Sequence, residues 1–162
     1  TSINMLMNLR NNLNYYVIRS IDSGHYIKYL NPNINKTEVI FNEWRIDYNK
    51  TLYIVEGVFD YIVSRKNSVP LLGSSLNEKY KLFTNILKYN TPIVLCLDPD
   101  ANEKTIKIAK LFDKWGMKIQ YVDWEKNTKD VADLGYALFC KFIDNNLIEF
   151  NARANFFNKV YS

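Results

Sequence analysis

From residue 51 onward, short apolar runs alternate with stretches of helical periodicity. The runs at 51–55, 69–72, 92–97 and 117–122 have the length of strands and are rich in Leu, Ile and Val. Apolar runs without polar alternation suit strands buried on both faces. Between them lie helical patterns over 58–66, 77–89 and 102–116, and a closing one over 131–145. In 102–116, Ile106, Ala109, Phe112 and Trp115 share one face, Lys104, Lys107, Lys110 and Lys114 cluster elsewhere, and Gly116 supplies a C-terminal cap. The lysine stripe reads as a solvated face. Successive strand–helix–strand units predict an α/β fold, a mainly parallel sheet with right-handed crossovers and helices packed on it.

Residues 1–50 have a different texture. Tyr15 to Arg19 and His25 to Leu30 read as two strands joined at Asp22-Ser23-Gly24, a hairpin signal, and the pattern then fades between Asn33 and Glu38. We therefore expect a small N-terminal β-containing appendage over 1–50, a principal domain over 51–145, and a tail or helix over 146–162.

Composition narrows the class. At 162 residues, with 48% hydrophobic and 23% charged residues, the chain suits one principal globular domain with a real core. No apolar stretch approaches a membrane span and the N-terminus lacks a secretory pattern, so no membrane partner and a cytoplasmic location are expected. The abundance of Asn, Lys, Ile and Tyr fits an AT-rich coding genome such as a phage's, which would make that the host cytoplasm. A start at Thr1 rather than Met suggests an excised fragment. One histidine and two cysteines nearly exclude a zinc site, and Cys96, between Leu95 and Leu97, reads as a small core hydrophobe. A net charge of +4 permits a nucleic-acid partner without demanding one.

Candidate chemistry sits where the apolar runs end. Leu52-Tyr53-Ile54-Val55 stops at Glu56, with Asp60 soon after, and Ile93-Val94-Leu95-Cys96-Leu97 stops at Asp98-Pro99-Asp100. In an open parallel sheet these carboxyl ends line one edge, where ligands bind. Crowded carboxylates repel one another unless a cation sits among them, and oxygen-only ligation suits Mg²⁺ or Mn²⁺. Asp130, after the fourth strand, could complete such a site or cap the helix that follows. The alternative is structural: Asp100 with Glu103 matches a capping box, and Glu56 and Asp60 complement a helix dipole.

The residues Glu56-Gly57-Val58-Phe59-Asp60 resemble the EGxxD motif of Toprim domains, and Asp98-Pro99-Asp100 resembles their DxD motif. Gly73-Ser74-Ser75-Leu76 lies between them, where bacterial-type (DnaG-like) and phage primases carry a similar turn, and Lys28-Tyr29-Leu30-Asn31 resembles the KYLN element that precedes Toprim in those primases. Proline stands between the two aspartates where the family has glycine. The resemblance implies a Toprim-like fold over 51–145, preceded by an abbreviated primase-like subdomain. It implies a nucleotidyltransferase that makes short RNA primers on single-stranded DNA from ribonucleoside triphosphates. Glu56, Asp98 and Asp100 would be catalytic, and the same three with Asp60 and Asp130 would bind metal. Arg19, Lys28, Tyr29, Asn31, Ser74 and Ser75 would contact nucleic acid or nucleotide. A replicative helicase or a separate zinc-binding module would be the protein partner. Rival readings are a metal-dependent Toprim nuclease and a non-catalytic scaffold that binds nucleic acid or a replication protein.

Overall fold

Two central strands set the architecture: β4 (Leu52–Val55) and β6 (Ile93–Cys96) lie side by side and parallel, with Val55 level with Cys96. The computed structural model describes residues 2–7, 13–19, 29–72, 75–124 and 131–151. β5 (Ser68–Pro70) pairs parallel to β4 on one side, and β7 (Ile119–Val122) pairs parallel to β6 on the other. β8 (Leu147–Glu149) closes the sheet antiparallel to β7, giving the order β5-β4-β6-β7-β8. The mainly parallel sheet expected from the apolar runs is the one observed. A tail or helix was expected from residue 146, but Leu147–Glu149 is an edge strand, held because Asp123 N–H and Asn146 carbonyl meet at 2.8 Å where β8 turns back along β7.

Both faces of the sheet are covered, which is why its strands lack polar alternation. On one face Leu52, Ile54, Ile93, Leu95 and Ile119 pack with Leu82, Phe83 and Ile86 of α2 (Lys81–Tyr89) and Ile108, Ala109 and Phe112 of α3 (Asn102–Asp113). On the other, Val55, Val94, Cys96 and Val122 pack with Val131, Phe139 and Ile143 of α4 (Val131–Asn146). α1 (Val58–Ser64) leaves β4 directly and packs against α4. Two details depart from the periodicity. Trp115 lies beyond the end of α3 and is exposed, and α4 is broken at Gly135, where φ is 72° and ψ 164°.

The N-terminal appendage is a second sheet. β1 (Ser2–Met7), unanticipated from the sequence, pairs antiparallel with β2 (Leu13–Arg19), and β3 (Tyr29–Leu30) pairs with β2 on the other side, placing Arg19 opposite Tyr29. The expected turn at 22–24 lies outside the described residues. Tyr15 and Val17 are buried in the same core as Ile54 and Leu95. No helix among the described residues is long and apolar enough to cross a membrane.

Candidate active site

The parallel register of β4 and β6 brings the strand-end acids together on one edge. Glu56 follows Val55 immediately, and Asp98 comes two residues after Cys96, past the buried Leu97. Asp98 carbonyl accepts the Ala101 N–H at 2.9 Å, so Asp98-Pro99-Asp100-Ala101 forms a turn with proline in its second position, where a fixed φ is favoured. Asp100 sits exposed on that turn. The capping residue of α3 is Ala101, with no side-chain cap, so the capping-box alternative for Asp100 is not what the structure builds.

Glu56 has a partner that sequence reading missed. Lys104, in the first turn of α3, donates to Glu56 Oε1 at 2.5 Å, with about a quarter of each side chain exposed. The lysine assigned to a solvated stripe therefore points at the acid. Glu56 Oε2 is buried and has no hydrogen-bond partner among the described residues. Periodicity identified the polar face of α3 but could not say what stood opposite it. β6 itself ends in Cys96, whose thiol burial pushes far above its ordinary value, so it remains a neutral core group as expected.

Asp60 is committed elsewhere. It is 7% exposed; Oδ2 accepts the Gly57 N–H at 2.8 Å and Oδ1 accepts the Ala132 N–H at 3.1 Å. One carboxylate thus satisfies backbone donors at the starts of both α1 and α4, the role that acids favour at helix N-termini. The glycine of the Glu56-Gly57 pair follows from this: a Cβ at Gly57 would sit 3.2 Å from Asp60 Oδ2. Asp60 is therefore a brace behind the edge.

The other expected residues are scattered. Ser75 is exposed in the connection leaving β5, whose end lies on the same edge as those of β4 and β6. Tyr29 in β3 and the backbone of Arg19 in β2 belong to the N-terminal sheet, and Asn31 is exposed just after β3. Lys28, Ser74 and Asp130 lie outside the described residues. A further buried acid, Glu43, is a structural one, held by Lys81 at 2.9 Å and Asn85 at 3.4 Å.

The donors suit a hard cation in kind: all are carboxylate oxygens, and Glu56 Oε2 is an acceptor with an unmet demand. Among the described residues, however, no three His, Cys, Asp or Glu side chains are grouped so as to hold a metal ion. A full ligand set would need side-chain movement at Asp98 or Asp100, or a ligand from outside the described residues.

The fold of this chain, a mainly parallel sheet flanked by helices with a small β sheet ahead of it, matches solved DnaG-type primase catalytic cores. Over 98% of this chain and 55% of the other, the fold matches the E. coli primase catalytic core with a TM-score of 0.73 at 15% identity. The Aquifex aeolicus primase, comprising zinc-binding and RNA polymerase domains, matches over 97% of this chain and 44% of its own with a TM-score of 0.72 at 18% identity. A DnaG primase catalytic domain bound to single-stranded DNA matches over 91% and 51%, with a TM-score of 0.70 at 15% identity. At these identities the likeness is one of fold. No family model matches the chain. In sequence, 90 residues are 32% identical to the uncharacterized protein MG010 homolog of Mycoplasma pneumoniae, covering 52% of this chain and 42% of that protein. The chain thus spans less than half the length of this curated relative.

Proposed function

We propose that the chain is a Toprim-type primase core that joins ribonucleotides into short primers on single-stranded DNA, with residues 51–145 as its catalytic domain and 1–50 as an abbreviated primase-like subdomain. The observation that carries this reading is the adjacency of Glu56 and Asp98-Pro99-Asp100 at neighbouring strand ends, in a fold shared with DnaG-type cores. Glu56, Asp98 and Asp100 would hold Mg²⁺ or Mn²⁺, with Asp130 a further candidate. Bound there, a divalent cation neutralises triphosphate charge and lowers the pKa of an attacking hydroxyl.

The chain's own groups have distinct tasks. Lys104 fixes one oxygen of Glu56 and leaves Oε2 to accept a proton or a ligand. The turn at Asp98–Ala101 presents Asp100 to solvent, from which nucleotide arrives. Asp60 holds the first turns of α1 and α4 and so keeps Glu56 at the edge. Arg19, Lys28, Tyr29, Asn31, Ser74 and Ser75 would bind template and nucleotide phosphates. A helicase or zinc-binding module would supply template selection.

The test is incubation with Mg²⁺ or Mn²⁺, ribonucleoside triphosphates and single-stranded DNA. New short RNA supports the proposal, and its loss in Glu56→Gln and Asp98→Asn assigns it to this edge. Shortened DNA in place of new RNA would mean a nuclease using the same acids. One observation favours a second reading, a non-catalytic scaffold: Lys104 already neutralises Glu56 without a metal. That reading requires DNA or protein binding to survive both substitutions while no synthesis is seen in the unmodified chain.

A further inference from the structure

At the opposite edge of the sheet, where β5 begins, lies a groove of about 580 Å³ lined by Arg45, Lys50, Tyr61, Arg65 and Lys66 among others. It stands a strand's length from the acids, roughly 13 Å for the four residues of β4. Its cations come from different segments: Arg45 from the turn before β4, and Arg65 and Lys66 from the end of α1, where a helix dipole favours positive charge. Asp47, at the rim, is matched by Lys50 at 3.0 Å. Arg45, Arg65 and Lys66 form no ion pair with a described carboxylate; each instead lies over an aromatic ring, Trp44 at 5.6 Å, Tyr136 at 5.6 Å and Tyr53 at 4.9 Å.

The floor is rigid. Asn67 Nδ2 donates to Asp47 carbonyl at 2.8 Å, and its Oδ1 accepts the Asp47 N–H at 3.0 Å; a third bond, to Thr51 carbonyl at 3.1 Å, ties the turn to the start of β4. Trp44 and Tyr136 each expose about half their surface beside these cations. Cations without an ion-pair partner on a fixed floor, with half-exposed aromatic rings beside them, suit a chain of phosphates that also carries planar bases.

We infer that this groove binds single-stranded nucleic acid through both its phosphates and its bases, at a surface separate from the acidic edge. The inference does not depend on primer synthesis. Its test is the fluorescence anisotropy of a labelled oligothymidylate of about 20 nucleotides, a length that spans several contact sites. Arg45→Gln/Arg65→Gln/Lys66→Gln should weaken binding at least about tenfold at low salt and reduce the slope of log Kd against log salt by about two, since each single-strand phosphate contact contributes roughly 0.7. Arg65→Gln alone, at an exposed position, should weaken it about threefold and provides the measurement if the triple variant melts early. Glu56→Gln should retain groove binding whether or not the chain proves to be a primase, so the two proposals fail separately. Unchanged affinity in the triple variant overturns the inference. So does displacement by polyglutamate or inorganic polyphosphate as effective, per charge, as that by unlabelled oligothymidylate, because either would mean that bases contribute nothing.

Discussion

One carboxylate, Asp60, ties the start of its own helix to the start of α4, where the amide it binds lies 72 positions along the chain. Replacing it with Ala strips a charge-assisted bond from each helix start, and Asp60→Ala should cost about 2–3 kcal/mol in urea unfolding. Asp60→Asn, which keeps an acceptor for one amide, should lose less than half of that. Lys104 allows a sharper experiment. Lys104→Met should lower stability by about 0.5–1 kcal/mol without divalent cations, as partly screened pairs do. If cations bind Glu56, added Mg²⁺ should restore part of the loss, since a ligand stabilises the state that binds it; a deficit indifferent to Mg²⁺ would favour the scaffold. At this scale the sequence was half legible. Glu56 and Asp98 stood out because an acid ending a buried run needs a reason, whereas Lys104 looked like its neighbours Lys107 and Lys110, which are exposed. The difference lies in a contact 48 residues away.

Elements that bury both faces were the easiest to read. β4, β6 and α3 lie close to where their apolar patterns put them, because the same burial that creates the pattern fixes the strand. β8 escaped because it is an edge strand that begins with no turn residue after Asn146 and whose Ile148 and Glu149 are exposed. Its pairing with β7 is set by partner and not by pattern. The break in α4 escaped because Gly135 sits in an otherwise helical stretch. Its φ of 72° and ψ of 164° belong to a region that side chains other than hydrogen rarely enter. No atom would obstruct a Cβ there, so Gly135→Ala isolates backbone strain. It should cost about 1–3 kcal/mol, read as a drop in the urea midpoint; a neutral result would mean that α4 can straighten without loss.

For the molecule as a whole, three weak acids, Tyr15 and Cys96 buried and Tyr48 half-buried, point the same way. Burial raises Tyr15, Tyr48 and Cys96 above ordinary values of 10.0, 10.0 and 9.0. All three hold their protons in folded and unfolded chains below the ordinary values. As pH climbs past them, the unfolded chain ionises first and gains, so their contribution to stability falls as the folded values are approached. The melting temperature should decline from about pH 9 upward. Tyr15 hydroxyl has no hydrogen-bond partner among the described residues, so Tyr15→Phe should flatten that decline and, by removing a stranded polar atom, stabilise by about 1 kcal/mol at neutral pH. A steeper alkaline loss in the variant would contradict the assignment. The pairing of β4 with β6 bears on how the molecule forms. Leu52 and Ile93 are some forty residues apart, the widest separation bridged in the five-stranded sheet. Closing that span is the slow kind of event in folding, since the loop's entropy is lost before the contact repays it. A chain caught before it, with α2 and α3 already wound, has Glu56 and Asp98 on unconnected segments. Whatever the acidic edge does, it begins at the moment the middle of the sheet zips shut.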